Sequence, residues 1–137
     1  MQTSRNKIIT DLEIHQTSCR EEVVKVFIEN GGVAFSEAEI KKQITGEFDR
    51  TTIYRTVKIL IEKDFIHQVV CDHGVLKYAL TNDYKSLGNH AHFQCSECGK
   101  VICMTTVIEN VNPPEGYTVQ DQFLLIKGSC KKCPNSQ

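Results

Sequence analysis

Four cysteines fall in two matching pairs, Cys95 with Cys98 and Cys130 with Cys133, with 31 residues between the pairs. Two residues between ligands let one tight turn aim both sulfurs at a single ion, and two such knuckles complete the closed tetrahedral shell that structural zinc prefers. Gly99, directly after the first pair, suits the tight backbone of such a turn. The alternatives are a disulfide pair, a thioredoxin-like redox couple, or iron in the same four-sulfur shell. A reducing compartment disfavours the first, and no βαβ pattern surrounds the pairs to support the second. The compartment follows from the opening stretch MQTSRNKIITDLEIHQ, which is polar and periodic rather than basic and then apolar. No apolar run reaches membrane-spanning length, so the expectation is a cytoplasmic protein with no membrane partner.

A second constellation is Arg50-Thr51-Thr52-Ile53-Tyr54-Arg55, followed by Lys58. It sets two arginines, hydroxyls and an aromatic at the start of a helix whose far side is apolar. Residues near the start of a recognition helix reach base edges; Arg can pair bidentately with guanine, and Thr and Tyr contact phosphates or thymine methyls. A solvated helix face is the bland alternative. The formal net charge of −1 is a mild argument against nucleic acid, and residues 1–80 hold 11 Lys/Arg against 12 Asp/Glu. Double-stranded DNA as a partner therefore rests on this local cluster and not on overall charge.

The elements that must position these groups are punctuated clearly. Ser18 with Glu21 has the form of a capping box, ahead of an apolar face at Val23, Val24, Phe27 and Ile28 that ends at Asn30-Gly31-Gly32. Ser36 with Glu39 repeats the device before Ile40 and Ile44, and Gly46 stands where a helix C-cap is expected. A further helix begins after Asp49 and buries Ile53, Val57, Leu60 and Ile61. From Ile66 the period becomes two, with turn chemistry at Asp72-His73-Gly74 and a return strand over 75–80. Helices followed by such a hairpin describe a winged helix-turn-helix. The fold expected is α+β: a winged-helix DNA-binding domain over 1–80, a hinge linker over 81–89, and a small α/β dimerisation and metal-binding domain over 90–137 stapled by the four-cysteine site. In that last unit a short helix is expected near 105–111 and a strand over 117–127. A half of this size has too little core to stand without a staple.

The strings TTIYRTVKILIEKDFI, HAHFQCSECGKV and GSCKKC, in that order and spacing, resemble the ferric uptake regulator family of bacterial metalloregulators, and the resemblance runs from about Thr17 to Cys133. It implies a homodimer that binds a palindromic operator when loaded with a regulatory metal. Tyr54 and Arg55 would be the DNA-contacting pair, and Arg20 the basic residue of the second helix. Cys95, Cys98, Cys130 and Cys133 would hold structural zinc. His90 and His92 would be two ligands of a regulatory metal at the hinge, and the i, i+2 spacing of a strand would let both imidazoles converge.

This chain also departs from the family pattern, carrying Ala34, Ala79 and Ala91 where many relatives have histidine or acidic groups, and Cys103 in place of a carboxylate. A hard, oxygen-rich iron or manganese site is thereby put in question. What remains is a softer set, His67, His90, His92 and Cys103, with Cys71 and His73 nearby. His67 stands where zinc-sensing relatives often have a ligand, although their cysteine after the wing is Thr81 here. Imidazole with thiolate favours zinc over Fe²⁺ or Mn²⁺ as the second, regulatory metal. The sequence expectation is thus a metal-responsive transcriptional regulator, a repressor in form and not an enzyme. Two alternatives stay open: a thiol-based redox or peroxide sensor using Cys71 or Cys103, and a metal-insensitive architectural protein.

Overall fold

A computed structural model describes residues 2–81, 90–120 and 122–133. Helices α1 (Gln2–Asp11), α2 (Ser18–Glu29), α3 (Glu37–Gln43) and α4 (Arg50–Glu62) precede a hairpin of β2 (Ile66–Val70) and β3 (Leu76–Leu80). A two-residue strand, β1 (Val33–Ala34), lies between α2 and α3, and β4 (His90–Cys95), β5 (Val101–Val107) and β6 (Leu124–Gly128) follow the hairpin. Among the described residues no helix is long and apolar enough to cross a membrane.

The helices close on one apolar core. Val23, Val24 and Phe27 from α2, Ile40 from α3, Ile53, Val57 and Leu60 from α4, and Ile66 from β2 are all buried together. Phe27 meets Phe35 edge to face at 6.1 Å, which ties the α2–α3 connection to that core. Asp49 caps α4 by accepting from the Thr52 amide at 2.8 Å, so the helix starts where its polar face must begin.

Several local expectations are corrected. The N-cap of α2 is Thr17, extended in its backbone, whose side-chain oxygen accepts from the Arg20 amide at 3.2 Å, while Ser18 is already helical. Helix α3 keeps its Ser36–Glu39 capping box, but it ends at Ile44 rather than Gly46. Gly46 serves a close approach instead: a Cβ there would come within 2.5 Å of the Phe48 ring and 2.7 Å of the Glu22 carboxylate. That carboxylate accepts from the Thr45 amide and hydroxyl, at 2.7 and 2.6 Å.

The helix expected near 105–111 is absent: β5 continues to Val107 and 108–111 carries no regular structure. Val101, Ile102, Thr105, Thr106 and Val107 are β-branched, and a strand alongside β4 suits them better than a helix. The strand expected over 117–127 is shorter and begins at Leu124, because its partner runs out; Leu124 already pairs with Ala91 near the start of β4. Ahead of it, Gly116 at φ 88° and the bond from the Tyr117 amide to the Pro114 carbonyl make a turn.

The sheet topology joins both ends of the chain. Four strands run in the order β1-β5-β4-β6, so a strand from between the helices completes the C-terminal sheet. The Cys103 amide extends this seam by donating to the Gly32 carbonyl at 2.7 Å. One face of the sheet packs on the hairpin through the buried residues Ala34, Val69, Cys71, Ala79, Val101 and Cys103.

Candidate metal centres and nucleic-acid interface

On α4 the buried stripe of Ile53, Thr56, Val57 and Leu60 faces the core, and the other side is open. Arg50, Thr51, Thr52, Tyr54, Arg55 and Lys58 are all exposed on that helix. Tyr54 has no core role, being 49% accessible. The first turn adds a positive field, since unpaired amides at a helix start favour phosphate oxygens. Arg20 stands on α2, half-buried, with its guanidinium donating to the His15 carbonyl at 2.5 Å.

The two CxxC pairs converge. All four sulfurs of Cys95, Cys98, Cys130 and Cys133 lie within 4.8 Å of one another. Sulfurs 2.3 Å from a common tetrahedral centre stand about 3.8 Å apart, and Cys98 to Cys130 is 3.8 Å. Gly99 at φ 78° closes the first knuckle, its amide donating to the Cys95 carbonyl. The amides of Cys98 and Cys130 donate to the Cys95 sulfur and pull it down to about 6, making it a thiolate at neutral pH. Hydrogen bonding with the Cys130 thiol pushes Cys133 up to about 12. Four sulfurs so close cannot all ionise unaided, and a dication resolves that conflict. Among the described residues no disulfide joins any of the seven cysteines.

A second cluster spans hairpin and sheet. His67 on β2, His92 on β4 and Cys103 on β5 place one ligand atom each within 4.8 Å of the others. His67 Nε2 stands 3.2 Å from His92 Nε2 and 3.7 Å from Cys103 Sγ. Edges of about 3.3 Å between nitrogens and about 3.5 Å between nitrogen and sulfur belong to a tetrahedral zinc shell, so the donors fit such an ion. His92 and Cys103 are close because they are direct cross-strand partners. His67 reaches them because the hairpin lies over that face. Burial pushes the Cys103 thiol up to about 12.

The side chain of His90 lies outside the described residues. Its backbone heads β4, and the ladder shifts register between His90 and His92, which interrupts the simple alternation expected of the pair. Ala34, Ala79 and Ala91 are each buried. Ala34 and Ala79 seal the hairpin against the sheet as plain apolar packing.

Four contacts escaped the sequence reading. Lys77 on β3 is buried, yet its ammonium sits 3.0 Å from Glu39 and donates to the Gly99 carbonyl at 3.0 Å. It therefore ties the capping box of α3 to the first cysteine knuckle. Gln94 accepts from the Asp72 amide at 3.1 Å, and Lys127 pairs with the Asp72 carboxylate at 3.0 Å. A broken alternation was the available signal: from Lys77 to Leu80 every residue of β3 is buried.

A winged helix-turn-helix with an exposed polar face on α4, fastened through its wing to a sheet bearing two clusters of metal-type donors, is the arrangement of a metal-responsive transcription regulator. The comparisons agree on the lineage. The chain belongs to the ferric uptake regulator family, whose model matches residues 11–121. It is 27% identical over 125 residues to the ferric uptake regulation protein of Bacillus subtilis (strain 168), covering 85% of this chain and 83% of that one. Among solved structures it resembles a zinc uptake regulator complexed with zinc and DNA, at TM-score 0.68 and 22% identity over 97% of this chain and 92% of that one. It also resembles the Vibrio cholerae ferric uptake regulator, at TM-score 0.65 and 17% identity over 91% and 98%.

Proposed function

We propose that this chain is a dimeric, cytoplasmic repressor that binds palindromic operators and senses zinc. In this reading Cys95, Cys98, Cys130 and Cys133 hold a structural zinc. His67, His92 and Cys103, with His90 as a fourth ligand, hold the regulatory ion. The observation that carries the reading is the second cluster, because its donors come from both sides of the contact between wing and sheet. His67 moves with the wing, whereas His92 and Cys103 move with the sheet. The three can be held together only while the wing is docked, which fixes where α4 stands relative to the rest of the subunit. A bound dication would supply the charge that draws these donors together. Arg50, Thr51, Thr52, Tyr54, Arg55 and Lys58 would then meet DNA, with Arg20 on the neighbouring helix.

Support for zinc comes from the donor set, two imidazoles and a thiolate with no carboxylate among the clustered residues. It comes also from the structural likeness to a regulator bound to zinc and DNA. A thiol switch at Cys71 is disfavoured, because that sulfur is buried and burial raises its pKa, leaving little thiolate to react. The test is metal stoichiometry. The parent should bind two zinc ions per chain and the His67→Ala/His92→Ala variant one; a variant that still bound two would place the second site elsewhere.

A further inference from the structure

The contact between wing and sheet holds more than three metal-type donors. On β3, Ala79 is buried against the sheet together with Val69, Val101 and Cys103, and the Lys77 ammonium crosses the same contact to the Gly99 carbonyl at 3.0 Å. The hairpin register pairs Ala79 with His67 and Lys77 with Val69. Lys77 therefore stands one strand repeat, about 7 Å, from the residue opposite His67. On the other side, Gly99 lies in the turn between β4 and β5, the strands that carry His92 and Cys103. The donor cluster and the Lys77 contact are thus two fixed points on one surface, with the small apolar side chains of Ala34, Val69, Ala79 and Val101 packed there as well.

Apolar packing of this kind is non-directional and tolerates a slide of one element on the other. The ammonium does not. Lys77 is only 7% accessible, and its charge is satisfied where it meets Glu39 and the Gly99 carbonyl together, each at 3.0 Å. A shift of the wing that left the ammonium buried but short of one partner would be costly. Both partners are themselves held in place. Gly99, at φ 78°, belongs to the first cysteine knuckle and donates its amide to the Cys95 carbonyl. Glu39 accepts from the Ser36 amide at 2.9 Å within the capping box of α3. The wing must therefore come to them, and the position in which it does so is the one that brings His67 Nε2 to 3.2 Å from His92 Nε2.

We propose that Lys77 is a positioning residue for the second metal site: it fixes the seat of the wing on the sheet and so holds His67 within reach of His92 and Cys103. It touches none of the three donors and acts through the hairpin that carries His67. The inference rests on the reading of that cluster as the regulatory site. It also gives the four-cysteine knuckle a second task, because the carbonyl that seats the wing belongs to that knuckle. A donor set assembled in only part of the population binds its ion more weakly by that fraction. Loss of the Lys77 contact should therefore weaken the second ion while leaving every ligand in place.

The experiment uses the full-length chain with its four-cysteine zinc in place, titrated with zinc in competition with a chromophoric chelator. Lys77→Met should raise the dissociation constant of the second zinc about tenfold, and Glu39→Gln, which keeps the capping acceptor but not the charge, about threefold. Glu39→Gln decides alone if the methionine variant does not fold. Val24→Ala is the control for a merely structural effect, since Val24 is fully buried in the helical core and its truncation lowers stability away from the contact. It should hold the second zinc within about twofold of the parent, because affinity is read on folded protein. Lys77 and Glu39 variants that both bind like the parent would overturn the role of Lys77 and leave the metal site intact. So would a Val24→Ala variant weakened as much as Lys77→Met. A parent that takes up no second equivalent would remove the site itself.

Discussion

Replacing Lys77 by methionine isolates the contact that joins α3, the wing and the cysteine knuckle. The side chain keeps its length and apolar contacts but loses a charge-assisted bond to Glu39 and the donor to the Gly99 carbonyl. Removing one partner of a fully buried ion pair costs about 3 to 5 kcal/mol. Glu39, however, is 43% accessible and keeps the Ser36 amide, so water replaces part of what is lost. After that discount for screening the expected loss is about 2 kcal/mol. For a chain of this size, that lowers the midpoint of thermal unfolding by about 7 °C.

The pH dependence provides a second signature. Burial pushes the Glu39 carboxyl up, but the Ser36 amide and the Lys77 ammonium outweigh it and hold it below the usual range. A depressed folded pKa gives stability that is present above the unfolded value, about 4.3, and lost as pH falls through the folded value. The gap between parent and Lys77→Met should therefore be full at pH 7 and shrink below about pH 4. Calorimetry across pH, on protein with its zinc retained, is the assay. A variant melting within 1 °C of the parent at neutral pH, or a gap unchanged in acid, would refute the reasoning.

Cys130→Ser should lose the tightly held zinc and destabilise the C-terminal sheet, because that half has little core of its own; elemental analysis and near-UV circular dichroism report both. Retention of one zinc per chain in the four-sulfur site would contradict its assignment. Arg55→Ala should leave fold and zinc content unchanged, since Arg55 is exposed on α4, and should weaken operator binding by about 1 to 3 kcal/mol if it pairs with a base. A panel of operator variants distinguishes a base contact, which relaxes specificity at one position, from a phosphate contact, which weakens all sequences alike.

The helical half was legible because punctuation and period agreed there. Asp49 and the Ser36–Glu39 box stand as the sequence implied, and so does the apolar stripe of α4 save that Thr56 is buried and Ile61 only partly so. The small shifts at Ser18 and Gly46 have side-chain causes, Thr17 and Glu22, that spacing alone does not reveal. Beyond His90 the chain was harder to read. A run such as Val101–Val107 is compatible with either period, and its β-sheet partner decides. Nothing local could reveal that Val33 and Ala34 would pair with Ile102 and Val101, a contact made across half of the chain. The cysteine quartet was visible because the spacing itself sets the geometry. The proximity of His67 to His92 and Cys103 depends on the wing folding over the sheet, which motif matching suggested but spacing did not dictate.

The claim that wing and sheet are joined by a sensed ion is tested most directly by titrating the zinc-stapled protein with zinc, iron(II) and manganese(II) while following its binding to a palindromic operator. The account predicts a second metal equivalent, held most tightly for zinc, whose uptake changes operator affinity at least tenfold in the parent. In His67→Ala/His92→Ala the four-cysteine zinc should remain and the response disappear. Operator binding that is indifferent to the second equivalent, or a double variant that responds like the parent, would contradict it.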